Sequence, residues 1–168
     1  LMEEGLTSVQ TQAYGPEARG GACKSEVVYS RTEIDYPKAS HPNLQVILTQ
    51  KACDEYAGDT AKGGIIILDD FFVTEDPKVD AEIYRLPIVR TAREELKKEI
   101  VTNMVALGAA ARVLELADLT KPESVKKAIL NRVPAQAICL TVTVTRRKSP
   151  FGIGGAFMRS HAQKKRTV

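Results

Sequence analysis

The chain has 168 residues, of which 43% are apolar and 27% charged, as in one soluble globular domain with its own core. Its net charge is only +3, and much of the basic excess follows Arg146, so the body of the chain lacks the charge of a nucleic-acid-binding surface. No apolar run reaches the length of a membrane span and no signal peptide is visible, which predicts a cytoplasmic protein.

The cysteines and histidines do not form the sets that metal binding or catalysis requires. Cys23, Cys53 and Cys139 are scattered without a CxxC pair, which favours buried free thiols over a disulfide framework, a zinc site or an iron–sulfur site. His41 lies beside a proline in a predicted turn, and His161 lies in the C-terminal tail. Neither has an identifiable acidic partner, so the sequence does not support general acid–base catalysis by histidine. The sequence predicts no catalytic residue and no metal ligand in this chain.

The first part of the chain predicts β-structure around a glycine-rich loop. Residues 1–5 are typical of a helix end closed by a glycine, and residues 6–12 predict a strand. A strand region over residues 26–34 follows the loop and ends at Pro37, which cannot continue a β-ladder. The loop itself reads Tyr14-Gly15-Pro16-Glu17-Ala18-Arg19-Gly20-Gly21-Ala22.

Two interpretations of this loop remain open from the residues alone. Glycine allows positive φ and close approach of another group, while Pro16 directs Gly15 away from helical conformation. Successive glycines can also turn neighbouring N–H groups towards one point and form a small anion-binding concavity. The loop is therefore either an ordinary turn or a binding site.

The middle of the chain predicts a parallel sheet. Residues 44–48 form a compact apolar strand, and residues 52–56 a short helix or turn. The unalternating apolar run 65–68 is what a strand buried on both faces requires, so we expect it near the middle of the sheet. Asp69 and Asp70 follow its carboxyl end, where α/β proteins place ligands, yet they are interpreted as loop-starting residues rather than catalysts.

A strand over residues 81–86 and a long helix over residues 92–116 complete the central pattern. Asn103 lies in that helix and must either face solvent or find a partner. The helix is predicted to face the core with a low-profile apolar side made of Ile100, Met104, Leu107, Gly108, Ala111 and Leu114. Strands interleaved with helices predict a three-layer α/β domain.

The last segments are a helix and an atypical tail. Thr120 and Glu123 predict a capping box at the start of a helix over residues 122–131. Residues 139–168 combine a strand-like run with basic and glycine-rich stretches and lack core-forming periodicity. We therefore divide the chain into a domain over residues 1–138 and a tail over residues 139–168.

The glycine-rich loop, read together with residues 25–28 and 103–108, resembles the gamma subunit of 2-oxoacid:ferredoxin oxidoreductases, and the 2-oxoglutarate type is the nearest match. The resemblance runs from about residue 12 to about residue 137. It implies a Rossmann-like domain with a mostly parallel sheet. Family members begin with a strand and a GGQG-type turn, so the family's first βα unit is expected to be missing from this sequence. The tail also departs from the family pattern.

The resemblance implies an enzyme complex that oxidatively decarboxylates a 2-oxoacid with coenzyme A, giving an acyl-CoA, CO₂ and reduced ferredoxin. Thiamine diphosphate, magnesium and iron–sulfur clusters are expected on alpha and beta subunits, with a delta subunit as a further candidate. This chain is expected to bind no cofactor alone, to be inactive alone, to pack on the alpha and beta subunits and to help enclose coenzyme A. Ferredoxin is reached through the complex, and neither nucleic acid nor a membrane is expected as a partner.

Other readings stay open at this stage. An indolepyruvate or pyruvate ferredoxin oxidoreductase subunit is one alternative, because the gamma subunit of this family does not itself hold the substrate and its sequence discriminates poorly between 2-oxoacids. A standalone nucleotide-binding or regulatory α/β module is a second alternative, although such a fold normally cradles phosphate in its first glycine-rich turn. A degraded copy that no longer assembles is a third.

Carried over residue by residue, the resemblance assigns the loop as an interface or ligand loop that could contact coenzyme A. Arg19 is expected either to pair with Glu17 or to bind an anion, such as a coenzyme A phosphate or a partner carboxylate. Asn103 is expected as a secondary contact behind the loop. The loop residues assigned in this way are Tyr14, Gly15, Glu17, Arg19, Gly20 and Gly21.

Overall fold

The computed structural model describes residues 5–13 and 24–131. This part of the chain begins with a β-hairpin and continues with three further strands and the helices that pack on them. The elements are β1 Thr7–Ala13, β2 Lys24–Ser30, β3 Leu44–Ile47, α1 Gln50–Tyr56, β4 Gly64–Asp69, β5 Ala81–Leu86, α2 Ile88–Arg90, α3 Thr102–Leu116 and α4 Pro122–Leu130. The predicted tail and the predicted helix end at residues 1–4 lie outside the described residues, although Gly5 has the positive φ of 76° expected of a C-cap.

Strands β1 and β2 pair antiparallel, from Thr7 opposite Ser30 to Ala13 opposite Lys24. Both strands were predicted, but the expected extension of the second to residue 34 is wrong. Strand β2 ends at Ser30. The Ser30 hydroxyl oxygen accepts a hydrogen bond from the Thr32 N–H at 3.0 Å, and this turns the backbone away from the ladder.

Strands β3, β4 and β5 form a parallel sheet with β4 in the centre. All six residues of β4 are buried, as the unalternating run predicted. Gly64 allows β4 to begin close to the preceding turn, since a Cβ there would lie 2.8 Å from the Ala61 carbonyl oxygen. The central position predicted for this strand is confirmed.

Helices cover both faces of the parallel sheet and give the predicted three layers. Ile65 and Ile67 point to one face, where they pack with residues of α2 and α3. Ile66 and Leu68 point to the opposite face, where they pack with Cys53 of α1 and with neighbouring apolar residues. Alternate side chains of one strand thus supply both halves of the core. The α/β fold class is confirmed.

The long helix predicted over residues 92–116 is interrupted. Helix α2 passes into a π-helical turn, Thr91–Glu95, and a 3₁₀ turn, Glu99–Val101, precedes α3. Between the two turns Lys97 has a φ of 52°, and the Lys98 N–H donates to the Ala92 carbonyl at 2.9 Å. This left-handed closure ends the first helical segment although no glycine or proline marks it in the sequence.

The predicted core side of α3 is also wrong, except at Met104, which is half-buried and packs against the core. The buried side chains of the helix are Val105, Ala109 and Val113. Leu107, predicted to be in the core, is 41% exposed, and Ile100 just before the helix is 87% exposed. The helix carries apolar residues on more than one side, so helical spacing alone fits two orientations and the sheet selects the valine side.

Helix α4 begins at Pro122, close to the prediction, but without the predicted capping box. Lys121 occupies the N-cap position, and no side chain of the described residues caps the helix there. The Thr120 hydroxyl is buried without a hydrogen-bond partner among the described residues. Pro122 at the first helical position supplies the helical φ and has no N–H to satisfy, so the helix begins one residue later than a Thr120 cap requires.

Candidate functional site

The predicted ligand loop joins the two paired ends of the hairpin. Its six candidate residues Tyr14, Gly15, Glu17, Arg19, Gly20 and Gly21 lie outside the described residues, so their assignment stays a prediction. The strand ends that flank them are described: Ala13 pairs with Lys24. The loop therefore starts and ends at two adjacent positions of one antiparallel ladder.

A polar network holds the loop end of this hairpin. The Lys24 ammonium lies 2.7 Å from one Glu26 carboxylate oxygen, and the Thr11 hydroxyl donates to the other at 3.0 Å. The hydrogen bond from Lys24 is the main cause that lowers the pKa of Glu26, with Thr11 adding to it against the effect of partial burial. The Lys24 ammonium also lies 5.1 Å from the centre of the Tyr56 ring, which ties the hairpin to α1.

Asn103, the predicted secondary contact, lies in the first turn of α3 and is exposed. The sequence left open whether the Asn103 amide faces solvent or a partner, and among the described residues it faces solvent. Because the glycine-rich loop lies outside the described residues, the expected approach of Asn103 to that loop stays a prediction.

The two carboxylates at the carboxyl end of β4 serve the backbone and an ion pair. Asp69 is fully buried, and its two oxygens accept hydrogen bonds from the backbone N–H groups of Phe71, Phe72 and Val89 at 3.1, 2.9 and 2.8 Å. Asp70 pairs with the Arg90 guanidinium, which raises the pKa of Arg90. Asp69 thus fixes the turn after β4 and the start of α2, as expected of a loop-starting residue.

Sequence reasoning missed a cluster of exposed apolar groups at this edge of the sheet. The Phe71 and Phe72 rings meet edge to face with centroids 4.9 Å apart. The Arg93 guanidinium carbon lies 5.6 and 5.4 Å from these two centroids, and Arg93 donates to Glu99 at 2.6 Å. We name this cluster, together with Ile100, the aromatic patch: Phe71, Phe72, Arg93, Glu99 and Ile100. The signal in the sequence that could have predicted this cluster is the Phe71-Phe72 pair, which follows closely after a buried strand.

A second surface feature is a pocket of about 580 Å³ between the start of β1 and the α3–α4 connection. Its lining carries charges of both signs, and Asp118 adopts a left-handed φ of 55° there. The lining consists of Gly5, Leu6, Arg31, Asp118, Leu119, Thr120 and Lys121.

Within residues 5–13 and 24–131, no three His, Cys, Asp or Glu side chains come together as a metal site would require. Cys53 is a buried free thiol, as predicted, and burial raises its pKa. His41 is exposed. Among the described helices, none is long and apolar enough to cross a membrane.

The parallel sheet of β3, β4 and β5, packed by helices on both faces, defines an α/β domain. The sequence profile described as pyruvate ferredoxin/flavodoxin oxidoreductase matches residues 1–145, and the chain belongs to that family. It is 49% identical over 129 residues to the 2-oxoglutarate synthase subunit KorC of Methanocaldococcus jannaschii, covering 76% of this chain and 67% of that one.

The solved structures that are similar to this chain include the following two. The gamma subunit of a keto/oxoacid ferredoxin oxidoreductase from Geobacter sulfurreducens superposes with a TM-score of 0.74 at 36% identity, over 86% of this chain and 77% of that one. The 2-oxoglutarate:ferredoxin oxidoreductase of Magnetococcus marinus, solved with 2-oxoglutarate, coenzyme A and succinyl-CoA, gives a TM-score of 0.68 at 18% identity. The match covers 93% of this chain but 26% of that chain, and it shows the fold alone.

Proposed function

We propose that this chain is the gamma subunit of a 2-oxoacid:ferredoxin oxidoreductase that acts on 2-oxoglutarate. The complex would convert 2-oxoglutarate and coenzyme A to succinyl-CoA and CO₂, with ferredoxin taking the electrons. The observation that carries this proposal is the 49% identity to a 2-oxoglutarate synthase subunit over 129 residues. The fold similarity to a separate gamma subunit supports it.

The chemistry of the reaction is assigned to companion subunits. Among the described residues, the buried Asp69 is used by three backbone N–H groups, and Asp70 is held by Arg90. Neither carboxylate is arranged to move a proton at a substrate atom. We propose that thiamine diphosphate, magnesium and the iron–sulfur clusters lie on alpha and beta subunits, with a delta subunit as a further candidate, and that this chain supports them in the cytoplasm.

The glycine-rich loop is proposed to contact coenzyme A or a companion subunit. What supports this is its position: the loop leaves the end of a hairpin that is held by the Lys24–Glu26 pair and the Thr11 hydroxyl. An arginine at position 19 suits a phosphate or a carboxylate, because a guanidinium makes paired hydrogen bonds to either.

Variants of Arg19 separate these two roles. If Arg19 contacts coenzyme A, Arg19→Ala raises the KM for coenzyme A while the complex assembles normally. If Arg19 contacts a subunit, the same change weakens assembly. Arg19→Lys is the matched control, since it keeps the charge but not the paired hydrogen bonds. An Arg19→Ala complex that assembles and turns over normally would contradict the loop assignment.

The proposed function is tested by co-purification. The tagged chain is expressed with its genomic neighbours, and the captured complex is assayed for coenzyme A-dependent ferredoxin reduction with 2-oxoglutarate, pyruvate and indolepyruvate in turn. Capture of thiamine-diphosphate-binding subunits with 2-oxoglutarate as the best substrate is expected. A chain that is captured alone and binds a nucleotide would favour a regulatory α/β module instead.

A further inference from the structure

The aromatic patch exposes large apolar groups that the described part of the chain does not cover. Phe71 is 50% exposed, Phe72 is 41% exposed and Ile100 is 87% exposed. Single exposed apolar residues need no explanation, but Phe71 and Phe72 lie together beside Arg93, and Arg93 pairs with Glu99, the residue directly before Ile100. A group of exposed apolar side chains of this kind is typical of a surface that binds another protein.

The patch is held in place before any partner arrives. The backbone of Phe71 and Phe72 is fixed by the buried Asp69 carboxylate, which accepts both N–H groups. Their rings lie beside the Arg93 guanidinium, which pairs with Glu99. An ordered aromatic anchor loses little conformational freedom on binding, so its full apolar area contributes to affinity.

The two arginines beside the patch are already paired within the chain. Arg93 pairs with Glu99, and Arg90 pairs with Asp70. A phosphate or a nucleic acid that approached Arg93 would meet the Glu99 carboxylate and would have to displace it. The surface therefore fits an apolar protein surface better than an anionic ligand.

The lengths of the two similar solved chains indicate which protein supplies that apolar surface. The fold of this chain is a separate subunit in the Geobacter sulfurreducens protein, whereas it occupies 26% of a longer chain in the Magnetococcus marinus oxidoreductase. A fold that is covalently joined to an oxidoreductase chain in one protein needs a stable non-covalent contact when it is a separate chain.

We propose that the aromatic patch is the surface through which this chain docks on an apolar surface of a companion subunit of the same oxidoreductase. The proposal rests on the proposed function, which supplies the companion subunit. It assigns the patch a role in assembly and the glycine-rich loop a separate one.

The test measures the affinity of the full chain for the co-expressed companion subunits. Ile100→Asp changes a side chain that is 87% exposed and leaves the core untouched. We expect it to weaken binding at least about tenfold, and the double change Phe71→Ser and Phe72→Ser to weaken it about a hundredfold. The control Tyr36→Ser removes another exposed aromatic group, 62% exposed, and is expected to bind like the unchanged chain.

Each result decides the proposal. Melting curves that match for the unchanged chain and Ile100→Asp show that lost binding is not lost folding. Affinity that changes little between about 50 and 500 mM salt supports an apolar contact. Unchanged affinity of Ile100→Asp and of the double variant would overturn the proposal, as would a patch-dependent homodimer of the isolated chain. If the unchanged chain fails to bind the companions, the proposed function falls first and the docking proposal with it.

Discussion

Strand β4 and the aromatic patch use the same kind of side chain in opposite ways. Ile66 and Ile67 of β4 are fully buried by this chain's own helices, while Ile100 of the patch is 87% exposed. The two regions meet at Asp69, which ends β4 and holds the backbone of Phe71 and Phe72. The difference separates residues that stabilise the fold from residues that we propose act in assembly.

The largest expected effect on stability comes from shortening a buried isoleucine of β4, compared with the exposed isoleucine of the patch. Ile67 is fully buried in the core. Ile67→Ala removes three methyl or methylene groups there and should lower the free energy of unfolding by about 3 kcal/mol. Ile100→Ala makes the same chemical change at an exposed site and should alter it by less than about 0.5 kcal/mol. Chemical denaturation of both variants measures the difference, and equal losses would contradict the comparison.

The next effect tests the residue that joins the two regions. Asp69→Ala leaves the N–H groups of Phe71, Phe72 and Val89 without their acceptor, and should cost roughly 2–3 kcal/mol. The matched change Asp70→Ala removes only a partly exposed ion pair with Arg90 and should cost less than about 1 kcal/mol. Urea midpoints of the two variants should differ clearly. If they coincide, Asp69 does not organise this edge.

A smaller effect tests how closely β4 is packed at its start. The Cβ of Gly64→Ala would lie 2.8 Å from the Ala61 carbonyl oxygen and 3.1 Å from that of Asn43, so the backbone must shift, at a cost of about 1–3 kcal/mol. Gly58→Ala is the control, because its Cβ would meet nothing within 4 Å. Thermal unfolding should show a lower Tm for the Gly64 variant only.

The smallest effect concerns the left-handed turn at Lys97 that separates the π-helical turn from the 3₁₀ turn. Lys97 holds a φ of 52°, which glycine adopts without steric cost, so Lys97→Gly should raise stability by about 0.5–1 kcal/mol. Lys98 has a φ of −144°, and Lys98→Gly should lower stability instead. Opposite signs in denaturation curves would verify the left-handed turn, and a loss of stability in both variants would argue against it.

The sequence was most informative where one pattern permits one structure. The run 65–68 is apolar at every position, as a strand buried on both faces requires, and β4 is that strand. Pro87 ends β5 as expected, because it cannot extend the ladder. The family resemblance carried the rest of the functional prediction, and family membership is confirmed.

Prediction failed where the sequence permits two structures or where tertiary contacts decide. Apolar residues recur on more than one side of α3, so spacing could not tell the valine side from the Ile100 and Leu107 side. The break at Lys97 carries no glycine or proline, and the aromatic patch depends on Arg93 reaching rings more than twenty residues earlier in the chain. The glycine-rich loop remains a prediction.

Hydrogen–deuterium exchange of the isolated chain and of the assembled complex tests the central claim most directly. Amides of β4 are slow to exchange in both states because the strand is already buried, and they serve as the internal control. We expect the segments around Phe71, Phe72 and Ile100 to gain protection on assembly. Protection gained elsewhere, with the patch exchanging as fast in the complex as in the isolated chain, would contradict the division between folding and docking residues.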